Sequence, residues 1–160
     1  MFKSLLLSSA IVVSQSPNIS PEFKQLKTQL ESYGFKVNIA IPPDFTLQRF
    51  NPDLRRVDRS MGLFYQGSIW INPVVFELNF GNQTLIHEAV HAVQYCVGQG
   101  NTEKIGLDIE PIPQALPYFK RYADGQQQDL EREAYTVQSQ PNSYKLVRSL
   151  LDEHCQEKSQ

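Results

Sequence analysis

The stretch "TLIHEAVHAVQYC", Thr84 to Cys96, carries two of the chain's three histidines, four residues apart, with a glutamate directly after the first. On an α-helix, residues four apart sit about 40° from each other around the axis. The imidazoles of His87 and His91 therefore point the same way and can hold one ion, while Glu88 lies beside it and can reach a water there. Leu85, Ile86, Ala89, Val93, Cys96 and Val97 fall on one stripe of the same helix, roughly opposite the direction shared by the two histidines. The alternative is a helix whose polar residues merely face solvent. The histidines lie off the apolar stripe, so they need either solvent or a cleft.

His87, Glu88, Ala89, Val90 and His91 spell HExxH. A catalytic zinc takes three protein ligands and keeps one open position, so one ligand remains to be found. The extended pattern HExxHxxGxxH is not followed: Gln94 stands at the glycine position and Val97 at the third histidine, and the one remaining histidine is His154. A carboxylate further along the chain is the better candidate.

At these residues the chain resembles the zincin metallopeptidases of the gluzincin type, whose third zinc ligand is a glutamate on a downstream helix. In that group the glutamate is commonly followed by a small residue three positions on and a polar one four positions on. In "DLEREAYTVQ", Glu131 has Ala134 and Tyr135 at those places. The resemblance thus implies His87, His91 and Glu131 as metal ligands, with Glu133 the alternative, because both glutamates stand at similar angles from the stripe Leu130, Ala134 and Val137. Either glutamate could instead belong to a solvated helix face. Tyr135 stands where Asp or Asn is usual, which leaves open what hydrogen-bonds the zinc-bound histidine.

The wider order of a hairpin ending in "IWINP", a helix with HExxH and a helix with ExEA is also similar to the small bacterial metallopeptidases of the ImmA/IrrE type, over roughly residues 62 to 138. The resemblance implies one zinc ion, Glu88 as general base, peptide-bond hydrolysis, and a peptide or protein substrate lying along residues Gly62 to Asn72. Trp70 is then either a cleft residue or a half-buried sheet aromatic. Tyr118, Tyr122, Tyr135 and His154 are the candidates to stabilise an oxyanion. An exported binding or scaffold protein on a metallopeptidase fold, without turnover, is the alternative. The presence of Glu88 favours the enzyme, because holding zinc needs the histidines but not that carboxylate.

Working outward, "SPEFKQLKTQLESYG" predicts an amphipathic helix with Ser20 as cap, Pro21 at its first position and Gly34 as its stop. "FKVNIAI" alternates Phe35, Val37, Ile39 and Ile41 with Lys36, Asn38 and Ala40, as a strand does. "MGLFYQGSIWINP" predicts a hairpin turning at Gln66 and Gly67. Asn82 or Thr84 is a candidate cap for the zinc helix and Gly98 its stop. Helices are expected over residues 114–122, 127–138 and 142–155. The expected fold class is α+β: a small zincin-like fold with a short, mostly antiparallel sheet and a C-terminal helical half.

The first residues, "MFKSLLLSSAIVVSQSPNIS", place Lys3 before an apolar run from Leu5 to Val13 and then small residues, the layout of a secretory signal peptide over residues 1–16, with Ala10 or Ser14 as other cleavage points. That run is too short for a bilayer-spanning helix, which needs roughly 20 residues. Residues 17–160 are expected to form one domain. Export to the periplasm or medium would let Cys96 and Cys155 pair. Fifteen Lys and Arg stand against 17 Asp and Glu, with no basic run interleaved with aromatics, so no nucleic-acid partner is expected.

Overall fold

Ser20 begins the first helix: its side-chain oxygen accepts a hydrogen bond from the Phe23 N–H at 3.1 Å, and Pro21 follows at the first helical position. The resulting helix, α1 (Pro21–Ser32), turns Phe23, Leu26 and Leu30 into the core. The computed structural model describes residues 18–43, 60–119 and 125–156, without the side chains of residues 118 and 119. The expected leader and Tyr122 lie outside these residues, as does the Tyr118 side chain.

Three strands form one sheet in the order β1-β3-β2: β1 (Lys36–Ile39), β2 (Gly62–Tyr65) and β3 (Ser68–Ile71). Strands β2 and β3 make the expected hairpin. Gln66 and Gly67 take φ of 45° and 77°, and positive φ at both turn residues gives the tight connection whose twist matches the strands. Strand β1 runs parallel to β3, with Val37 beside Ile69 and Ile39 beside Ile71. The sheet is therefore mixed, with one antiparallel and one parallel pairing, within the expected α+β class. Alternation of apolar and polar residues sets which face of β1 is buried but reads the same in either direction, so it could not set the sense of the pairing.

After Pro73 the chain makes a short helix that the sequence pattern did not predict, α2 (Val74–Glu77). Asn72 organises it, accepting from the Val74 N–H at 3.1 Å and donating to the Ser60 carbonyl at 3.0 Å. The long helix α3 (Gly81–Val97) follows. It begins ahead of both expected caps. Thr84 is inside the helix and donates to the Phe80 carbonyl, while Asn82 accepts from the Ser20 hydroxyl and ties the start of α3 to the start of α1.

Helix α3 is the axis of the molecule. The expected stripe residues Leu85, Ile86, Ala89 and Val93 are buried, but so are Val90 and Ala92. The cause is that α1, the sheet, α5 (Gly125–Gln138) and α6 (Ser143–His154) all pack around it. Each fully buried Leu, Ile or Val contributes roughly 1.5–3 kcal/mol. Between α3 and α5 lie a segment over residues 98–112, a single 3-10 turn (Pro113–Ala115) and α4 (Leu116–Phe119), where a helix over residues 114–122 was expected; residues 120–124 of that region lie outside the described ones. Cys96, near the end of α3, is disulfide-bonded to Cys155 just past α6, with the two Cα atoms 5.2 Å apart. No helix among the described residues is long and apolar enough to cross a membrane.

Candidate metal centre

Helix α5 packs along the histidine face of α3, His87 meeting Glu131 and Gln138 while Gln94 meets Leu130 and Glu133, so the two helices run in opposite senses. At that contact three side chains converge. His87 Nε2 lies 3.2 Å from Glu131 Oε2, His91 Nε2 lies 3.5 Å from Glu131 Oε1, and the two Nε2 atoms are 3.3 Å apart. All three side chains are nearly covered, at 12–13% exposure. His87, His91 and Glu131 together could hold a metal ion.

Each histidine is oriented from behind by a glutamine. His91 Nδ1 lies 2.8 Å from Gln94 Oε1, and His87 Nδ1 lies 3.0 Å from Gln138 Oε1. An amide oxygen can only accept, so both rings carry their proton on Nδ1 and keep Nε2 for the centre. These glutamines fill the role that Tyr135 left open. The Tyr135 ring instead packs edge-on against His87, with centroids 4.5 Å apart. Neither glutamine was singled out from sequence as a supporting residue. The signal was there: Gln94 follows His91 by three residues and Gln138 follows Glu131 by seven, spacings that return to the same helix face.

Glu133, the alternative ligand, is taken up elsewhere. It points to the other flank of α5 and accepts hydrogen bonds from the backbone N–H groups of Ile105, Gly106 and Leu107 and from Gln94 Nε2. His154 is also apart from the centre, on α6 beside Glu153. Trp70 is half-buried on the sheet face opposite Ile69 and Ile71, the sheet-aromatic alternative.

Glu88 is buried beneath the outer edge of β2, with 6% exposure. The Asn72 N–H bonds the Met61 carbonyl. Antiparallel pairs alternate, so the polar backbone groups of Gly62 and Phe64 turn away from β3. The Phe64 N–H donates to the Glu88 carboxylate. Gly62 leaves room for it: a Cβ there would stand 2.5 Å from Glu88 Oε1 and 2.9 Å from Thr84 Cγ2.

Burial, opposed by the His87 charge and reinforced by that of Glu131, raises the Glu88 pKa to about 7. For His87 burial works against the charged form, but the hydrogen bond to Glu131 and the charges of Glu88 and Glu131 outweigh it, and its pKa is raised. His91 is lowered, first by burial and then by the charge of His87. The centre therefore draws one positive charge toward His87 and Glu131, the charge that a cation would replace. Compared with known proteins, the chain matches no family model, no curated protein and no solved structure.

Proposed function

We propose that the chain is an exported zinc-dependent peptidase, with His87, His91 and Glu131 as zinc ligands and Glu88 as general base. The observation that carries this reading is the triangle of ligand atoms with edges of 3.2, 3.3 and 3.5 Å. Tetrahedral zinc with ligand bonds of about 2.0–2.1 Å spaces its ligand atoms about 3.3 Å apart. Two imidazoles and one carboxylate also match the donor types of catalytic zinc.

Bound zinc supplies Lewis acidity, polarising a carbonyl and lowering the pKa of a water from 15.7 to about 7. Glu88, buried beside the histidines and bonded by the Phe64 N–H, would accept a proton from an attacking water and return it to a leaving amine. The Phe64 N–H and the space at Gly62 hold its carboxylate beside the histidines. Strand β2 lies at the edge of the described sheet, and an extended peptide added along it would pass within reach of Glu88. Export is supported by the Cys96–Cys155 disulfide, a bond that persists in oxidising compartments.

The test is zinc content and cleavage of a broad peptide library by the wild type and Glu88→Gln. The expected result is one zinc per chain in both and cleavage by the wild type alone. Zinc-loaded wild type that cleaves nothing would overturn the peptidase and leave a metal-holding binding protein.

A further inference from the structure

Glu133 is buried, yet its bonding does not place it among the ligands. Its Oε1 accepts from the Gly106 and Leu107 N–H groups at 2.7 and 3.3 Å, and its Oε2 accepts from Ile105 N–H at 2.9 Å and Gln94 Nε2 at 3.0 Å. All four partners are obligate donors. A carboxylate accepts on both oxygens and fits this set, whereas an amide would turn an NH2 group toward at least two donors.

The bond to Gln94 carries this preference inward. Gln94 is fully buried, and its Nε2 also donates to the Leu130 carbonyl at 2.9 Å. Two acceptors, Glu133 Oε2 and Leu130 O, thus claim the two N–H bonds of the amide. Its orientation is set: the oxygen must face His91, and His91 must answer with Nδ1–H. Reversing the amide would point its oxygen at two acceptors inside the core, where each lost hydrogen bond is costly. Glu133 therefore reaches His91 through one intervening side chain.

We propose that Glu133 is a positioning residue of the metal centre. Through Gln94 it locks His91 in the tautomer that turns a bare Nε2 toward His87 and Glu131. By the same carboxylate it fastens residues 105–107 to the support of that centre. The tautomer lock is independent of turnover. Its consequence for zinc rests on the metal-site reading above.

The test uses the full chain. In the metal-free protein at alkaline pH, where both histidines are neutral, imidazole 15N shifts report the tautomer of His91. The wild type is expected to show Nδ1–H almost exclusively, and Glu133→Gln a mixture with Nε2–H. Gln94→Met, close in volume, removes the link while leaving the bonds of Glu133 to residues 105–107, and it keeps the test decisive should Glu133→Gln fail to fold. Competition with a chelator is expected to show zinc held 10–100-fold more weakly by both variants, the range typical for loss of such outer partners. A His91 tautomer unchanged in Gln94→Met, or in folded Glu133→Gln, would overturn the proposal. Wild type that shows the single tautomer but binds no zinc would support the lock and overturn the metal-site reading instead.

Discussion

At Glu88 a carboxyl group is buried where its charge is disfavoured, and this has a consequence for stability that can be measured without substrate. Its pKa is about 7 in the folded chain, above the ordinary 4.5. A carboxyl raised on folding favours the native state when protonated, so its contribution is fully present below pH 4.5 and is lost as pH rises to about 7. Above that the metal-free protein carries a penalty of roughly 2–4 kcal/mol from this group. Glu88→Gln is therefore expected to raise the Tm of metal-free protein at pH 8 and to change it little at pH 4. Equal shifts at both pH values would show that burial of the charge is not the cause. At this scale the sequence was informative where helical spacing alone decides, as for His87, Glu88 and His91. It was silent where a residue's partner comes from another element. Glu131 and Glu133 looked alike on α5 because their angles from its apolar stripe are similar. Only the packing of α3 on one flank of α5, and of residues 105–107 on the other, separates them.

Between elements, the contacts of α3 with its neighbours decide whether the centre holds its shape. Helix α5 supplies Glu131 and Gln138 to the face of α3 that carries the histidines, while α6, which buries Val147, Leu150 and Leu151, also packs on α3. The disulfide secures that second contact by closing 59 residues of sequence separation. In the chain-entropy account such a bridge stabilises by about 4 kcal/mol. Cys155→Ser paired with Cys96→Ser is expected to lower the denaturant midpoint by a corresponding amount. Cys96 lies more than a turn beyond His91, so zinc stoichiometry should stay at one per chain under native conditions. Loss of zinc from a folded double variant would show that α6 also sets the metal geometry. The helices α1, α3, α5 and α6 were legible because each has an apolar period and most have a stop signal. The helix α2 and the parallel sense of β1 were not, since a one-turn helix has no period to detect and pairing direction depends on where the chain returns.

Over the whole molecule, the three metal-ligating candidates join a helix in the middle of the chain to one near its end, with residues 98–124 between them. A metal bound there favours the folded state alone, because the unfolded chain does not hold His87, His91 and Glu131 together. At a free zinc concentration of 100 times Kd, the native state gains about 2.7 kcal/mol. For a domain of this size that corresponds to a rise in Tm of about 5–10 °C. Chelator should reverse the rise, and Glu131→Gln should show a much smaller one. A Tm indifferent to zinc and chelator would speak against a bound ion. The sequence by itself determined the α+β class, the helix that carries HExxH and the common direction of its two imidazoles, because these follow from spacing within one element. The tertiary structure decided that Glu131 meets the histidines, that Glu133 bonds the Gln94 amide behind His91, and that Gly62 makes room for Glu88. Those outcomes depend on how separate elements pack, and the angle of a side chain around its own helix does not say which neighbour it will face.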